Sequence, residues 1–347
     1  MAADLCEQGH EVRFWRRDAR LLEVLEAEGG ITVQDHRGAR KVALALATSE
    51  LGEAVRGAEV IVLPLPAPAQ LEMARALAPW LSDGQVLYLT PGSFGSFAIA
   101  QELERAGCRA RVCTAETATL PYLARKHGPA TVAISGRAVR LPTGVFPARE
   151  TAWVIERLKR LYPGVSGVSD ALDAALLNAG PVIHPPLIVL NAAPLQHFPK
   201  WDIHNEGTQP AVRAVQDALD GERMAIREAW GYGAPHYPLR DYYTQGDWFY
   251  ELEASARLRE SRDWFEPIDL HAHRYVTEDI AYGLALMVSA GRAVGVPAPI
   301  AEGLLAIASA FSGIDYQRHG RTLGSLGLAS ASVAQVKDWL YQGGQRG

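Results

Sequence analysis

Through the first half of the chain, short apolar and β-branched runs alternate with segments whose apolar residues recur at three and four. The runs predict buried strands at 11–15, 60–65, 86–90, 112–115 and 131–135, because apolar stretches this short, bounded by turn residues, read as strands covered on both faces. The helical spacing between them predicts helices at 19–27, 68–80, 97–106 and 150–161. Strands alternating with helices make a parallel sheet with crossover connections, the doubly wound α/β arrangement. Beyond about Asp170 the strand pattern stops, and helices are predicted at 171–178, 185–193, 209–230, 276–294, 299–311 and 332–341. A loop-like stretch dense in aromatics fills 231–264. The pattern gives an α/β domain over 1–170 and an all-α domain over 171–347.

Composition agrees with two domains. A chain of 347 residues exceeds one typical core, and 48% apolar with 21% charged residues excludes a disordered or fibrous protein. Thirty-four basic against 39 acidic residues leave a net charge of -5, so no global basic field recruits nucleic acid. Cys6, Cys108 and Cys113 are odd in number and lack metal-ligand spacing, which argues against a disulfide framework or a bound metal and suits a reducing, cytoplasmic compartment. The longest uncharged apolar run, 280–291, falls short of the roughly 20 residues that cross a bilayer, so no membrane partner is expected.

Gly9 to Arg16 reads GHEVRFWR, a helix end followed by a strand, as at the second strand of a Rossmann-like dinucleotide-binding fold. In that fold a preceding strand and glycine-rich turn aim backbone N–H groups at the pyrophosphate. Here Met1 to Glu7 reads as the body of the helix that such a turn should open. The first strand and glycine-rich loop are therefore expected to be missing, as in a sequence truncated at its N-terminus. Arg16 and Arg17 stand where a carboxylate favours NAD and arginines accommodate a 2′-phosphate, a lean towards NADP over NAD. They also suit two solvated surface arginines, with Asp18 as the N-cap of the next helix.

Pro64 and Pro66 follow the 60–65 strand, and Gly92 lies in the TPGSFG loop after the 86–90 strand. Open α/β sheets bind ligands at such strand ends, although each loop also reads as a plain tight turn. AETATLPY, with Glu116 and Tyr122, falls on the same edge, and Arg125 beyond it either grips a carboxylate or is a surface arginine. In the helical half, NAGPVIHPP carries Asn178 and sets His184 directly before two prolines, near a helix N-cap. A histidine there is either a tunable acid/base or a capping and core group. In HRYVTEDIAYG, Arg274, Glu278 and Asp279 occupy the first turn of an apolar helix; the acids complement its dipole, and Asp279 is also suited to orient an imidazole. No spacing rule brings Asp279 beside His184. WDIHNEG at 201–207 either lines a pocket or caps the following helix.

GHEVRFWRRD, the 64–68 loop, TPGSFGS, AETATLPY, NAGPVIHPP, HRYVTEDIAYGL and the GVPAP turn at 295–299, in this order, span nearly the whole chain. Together they resemble the octopine/nopaline (opine) dehydrogenase family, relatives of the 6-phosphogluconate dehydrogenases. The resemblance implies an α/β domain for NAD(P)H and a 6-phosphogluconate dehydrogenase-like helical domain for the organic substrates. It implies condensation of an amino acid or amine with a 2-oxo acid and reduction of the resulting imine, with His184 as general acid/base and Asp279 as its partner. It further points to Arg16, Arg17, Pro64, Pro66, Gly92 and Glu116 for the cofactor and to Arg125, Asn178, Tyr122 and Arg274 for substrate. No metal is called for, and a homodimer is compatible. Many relatives carry asparagine four residues before the histidine, where this chain has Gly180. Two other readings stay open: a reductase of a simple 2-oxo acid or polyol phosphate, and a cofactor-free binding protein lacking the glycine-rich loop.

Overall fold

All five predicted strands form in a computed structural model, which describes residues 1–244, 248–250, 252–261 and 267–344. They are β1 (Arg13–Trp15), β5 (Val60–Leu63), β6 (Val86–Leu89), β7 (Cys113–Thr117) and β9 (Thr131–Arg137), where the missing numbers are strands that the pattern did not predict. The additional strands are β2 (Ile31–Asp35), β3 (Gly38–Val42), β4 (Leu46–Thr48), β8 (Tyr122–Lys126), β10 (Leu141–Phe146) and β11 (Val165–Gly167). The main sheet has the order β11-β10-β7-β6-β5. Its β5–β6, β6–β7 and β10–β11 pairs are parallel and β7–β10 antiparallel. All four residues of β6 are buried, as a central strand covered by helices requires.

Two smaller sheets complete this half. β1 and β4 form a parallel pair that shares no strand pairing with the main sheet. The third sheet, β3-β2-β9-β8, mixes antiparallel hairpins with a parallel β2–β9 contact. The β2–β3 hairpin escaped the pattern because its alternation is mostly polar; Gly38 at φ 98 makes its turn. β10 escaped because Pro142 and Gly144 interrupt it, and residues of that kind ordinarily mark strand edges and close approaches. Gly144 does lie against the backbone of Asp170 and Ala171, leaving no room for a Cβ.

After β11 the described regular elements are helices. The helix starting with Ala171–Leu176 is capped by Asp170, whose side chain accepts from the Asp173 amide. Next comes Gly180–Leu190, five residues ahead of the expected start. Its start is set by Asn178, whose side chain accepts the Gly180 N–H at 3.0 Å. Pro181 fits the first turn, and Pro185 and Pro186 fall inside the helix rather than opening it. His184 is therefore a helix-interior residue, not an N-cap neighbour. Among the described residues, 171–190 is the one stretch long and apolar enough to cross a membrane, but 78% of it is buried inside the protein.

The predicted 276–294 helix is two helices. Tyr275–Leu284 is a π-helix, continued by the α-helix Ala285–Ala293. Such wide turns are rare and concentrate at functional sites. The stretch read as a loop at 231–264 contains the helices Leu239–Thr244 and Leu252–Ser261. Its Trp248, Phe249 and Tyr250 are buried against Ala118, Leu123, Leu177 and Val182, which explains the aromatic density; Trp264 lies outside the described residues.

The 180–190 helix and the π-helix pack closely because Gly283 faces Pro181, where a Cβ would overlap the proline ring. A rigid ring cannot yield, so Gly283→Ala should destabilise the fold by about 1–3 kcal/mol through overpacking. Urea unfolding checks this; an unchanged midpoint would show that the two helices are not held by that contact.

Candidate active site

A cavity of about 490 Å³ lies where the C-terminal ends of β5 and β6 meet the helical half. Pro64 to Ala67 and Thr90 to Ser93 form its sheet side; Asn178, His184, Arg274 and Asp279 lie on its helical side. Leu120, Leu123, Trp248 and Tyr250 close a third, largely apolar wall. Open α/β sheets bind ligands at this edge.

His184 and Asp279, 95 residues apart, are joined by a 2.7 Å hydrogen bond from imidazole Nδ1 to the carboxylate Oδ2. Both side chains are largely buried, 11% and 14% exposed. An ionised carboxylate only accepts, so Nδ1 carries the proton and Nε2 is the ring nitrogen left for a substrate. The Tyr275 ring stacks on the imidazole at 3.6 Å and 11°. The Tyr275 hydroxyl in turn shares a 2.9 Å hydrogen bond with His204 Nε2. Burial, reinforced by the positive charge His184 can carry, pushes His204 down to about 3, so that it is neutral at any working pH.

The π-helix organises these contacts by positions four apart. Tyr275, Asp279 and Gly283 face the 180–190 helix, and Arg274 and Glu278 lie on the cavity wall. Burial, and then repulsion from Asp279, pushes the Glu278 carboxyl up, while the Ala67 backbone N–H donates to it. Gly180 is explained by the same geometry, since a Cβ there would overlap Asp279 Oδ1. Position 180 is thus needed here as free space beside the carboxylate.

Of the residues expected at the site, His184, Asp279, Asn178, Arg274, Pro64, Pro66 and Gly92 line the cavity. Glu116 does not. It is fully buried beneath the 91–95 loop, accepting from the Phe94 and Ser96 amides at 2.7 Å and from the Ser96 hydroxyl at 2.5 Å. It serves as an internal anion at the start of the Gly95–Arg105 helix, and burial still pushes its carboxyl up. Tyr122 also points away from the cavity, its hydroxyl donating to Asp4 at 2.7 Å in the interior. Arg125 lies on β8 outside the cavity wall. Arg16, stacked over Phe14, and Arg17, paired with Glu72 at 2.7 Å, lie just after β1 and likewise do not line the cavity. Tyr275, His204 and Trp248 were not singled out by sequence; WDIHNEG was the only signal for His204, and nothing in the pattern announced a π-helix.

The cavity suits a nicotinamide. Pro64, Leu65, Pro66 and Pro91 offer flat apolar contact at the strand ends, with the histidine opposite. Among the described residues, no group of three His, Cys, Asp or Glu side chains gathers to hold a metal.

Residues 167–312 match the α-helical domain of the NAD/NADP octopine/nopaline dehydrogenases. The opine dehydrogenase of Arthrobacter sp. (strain 1C) is 28% identical over 345 residues, covering 97% of this chain and 94% of that protein. The structure of octopine dehydrogenase with NADH and agmatine superposes with a TM-score of 0.73 at 17% identity, covering 100% of this chain and 96% of that one. Octopine dehydrogenase with NADH and pyruvate gives 0.67 at 19% identity, covering 95% of each chain. A helical domain that matches the octopine/nopaline dehydrogenase model, similarity to an opine dehydrogenase along nearly the whole length, and a shared two-part fold agree: the chain is similar throughout to the octopine/nopaline (opine) dehydrogenases.

Proposed function

We infer that this protein is an NAD(P)-dependent opine dehydrogenase, which condenses the amino group of an amino acid or amine with a 2-oxo acid and reduces the imine. The observation that carries this is the His184–Asp279 pair opening onto the cavity at the ends of β5 and β6. The reading assigns the cofactor to residues 1–170 and the organic substrates to 171–347.

His184 acts at Nε2. It accepts a proton from the attacking ammonium, then returns a proton to the hydroxyl that leaves the carbinolamine as water, which yields the imine. Asp279 holds Nδ1–H and stabilises the imidazolium between these transfers, and Tyr275 fixes the ring plane. Neutral His204 adds no competing charge beside it. The apolar wall of Leu120, Leu123 and Trp248 limits water around the imine, which water would hydrolyse. Arg274 is the cavity's guanidinium and suits a substrate carboxylate. The nicotinamide cofactor, when bound, supplies hydride to the imine carbon. Pro64, Pro66 and Gly92 would seat it, and Arg16 and Arg17 after β1 favour the 2′-phosphate of NADPH over NADH.

Oxidation of NADPH and NADH, measured with a 2-oxo acid in the presence and absence of amino acids and amines, tests the reading. Turnover should require both organic substrates and be faster with NADPH. Oxidation that proceeds equally without the amine would overturn it in favour of a simple 2-oxo acid reductase.

A further inference from the structure

The 91–95 loop forms part of the sheet side of the cavity, yet it is gripped from the helical half of the protein. Arg321, only 5% exposed, donates from Nη1 to the carbonyls of Gly92 at 3.2 Å and Ser93 at 2.8 Å. Its Nη2 donates to Gln70 Oε1 at 2.9 Å, and Gln70 Nε2 donates to the Gly92 carbonyl at 3.0 Å. The other end of the residue belongs to the π-helix: the Arg321 backbone N–H donates to the Ala281 carbonyl at 2.8 Å, and the guanidinium lies 4.7 Å over the Tyr282 ring. Gly320 presses this segment against the same turn, since a Cβ there would overlap the Ala281 and Tyr316 carbonyls.

Glu116 completes the arrangement. It binds the loop's amide groups as Arg321 binds its carbonyls, and the two charges attract. Between them the backbone holds Ser93 at φ 53 and Phe94 at φ 64, a conformation that side-chain-bearing residues rarely adopt unless their surroundings enforce it. Ala281 lies two residues beyond Asp279 on the π-helix. One side chain thus ties the cofactor-side loop to the helix that carries the histidine's partner.

We propose that Arg321 is a positioning residue for the reaction, setting the loop at Gly92 and Ser93 against the π-helix and so fixing the gap between cofactor and His184. This rests on the opine dehydrogenase reading for its kinetic consequence, but not for its mechanical one. Hydride transfer depends steeply on such a gap, and misplacement by about 1 Å is enough to cost roughly 100-fold.

The test compares Arg321→Gln and Arg321→Lys with the unaltered protein by two readouts. By amide hydrogen exchange, Arg321→Gln should speed exchange at Phe94, Ser96 and the 275–284 segment, while β6 and the 299–312 helix stay as protected as before. By kinetics, kcat should fall roughly 10- to 100-fold with cofactor affinity little changed. The deuterium isotope effect from C4-deuterated cofactor should also grow. Arg321→Lys, which keeps the charge and fewer donors, should recover part of both. Unchanged local exchange would overturn the proposal, as would faster exchange throughout the protein or an isotope effect equal to that of the unaltered enzyme. If the unaltered protein oxidised no cofactor with any amine and 2-oxo acid, the functional reading would fail, and the exchange pattern would still decide the link.

Discussion

His184→Ala should lower kcat by about 10²–10⁴-fold, the range that a positioned acid/base supplies. Two proton transfers pass through Nε2 in the proposed reaction, and no other neutral imidazole on the cavity wall can replace it. His204 is held out of use by its bond to Tyr275 and by burial that keeps it neutral. Removing the ring also uncovers one face of Tyr275, so the loss should be read beside a binding measurement. Cofactor affinity, followed by fluorescence quenching or calorimetry, should be nearly unchanged, because Pro64, Pro66 and Gly92 lie on the other side of the cavity. A variant that turns over at the normal rate removes His184 from the mechanism. Loss of cofactor binding together with turnover would instead assign it to the binding of the dinucleotide.

The second large effect is expected from Asp279→Asn, which is nearly isosteric and leaves the space beside Gly180 filled as before. An asparagine can turn its amide so that Nδ2 donates to imidazole Nδ1, moving the ring proton to Nε2 and presenting the substrate with the wrong tautomer. A comparable loss of a histidine-orienting carboxylate costs about 10⁴-fold in serine proteases. Here kcat should fall by about 10²–10⁴-fold with KM changed little, since the carboxylate acts through the ring and not on substrate. Steady-state kinetics on a variant whose thermal unfolding matches the unaltered protein provides the check. A rise in KM alone would make Asp279 a substrate ligand.

The strands β5, β6 and β7 were legible as short apolar and β-branched runs, wholly buried in β6 and β7, and most helices by their one-sided apolar spacing. The 19–27 helix matches Ala19–Ala27 at both ends, down to the cap from Asp18 onto the Arg20 amide. What stayed hidden was set by tertiary contact. The β2–β3 hairpin is polar on much of its surface, and β10 carries Pro142 and Gly144 because a helix crosses over it. His184 and Asp279 were recognisable as candidates from motif and resemblance, but it is the packing of the 180–190 helix on the π-helix, close at Gly283 and Pro181, that brings them together. Glu116 was misassigned for an instructive reason. A carboxylate at the ligand edge of a sheet reads the same in sequence whether it faces a ligand or turns under the loop to hold backbone amides.

The π-helix makes the His184–Asp279 pair sensitive to length as well as composition. An α-helix advances about 100° per residue, so a wide turn that relaxes by expelling one residue rotates everything on one side of it by about that angle. Deleting a single position between Asp279 and Leu284 would leave the dyad's side chains chemically intact while swinging Asp279 out of line with the Ala285–Ala293 helix that anchors it. Substitutions along this segment can be absorbed one contact at a time. A change in residue count cannot, which makes the number of residues from Tyr275 to Leu284 itself part of the geometry of the His184–Asp279 pair.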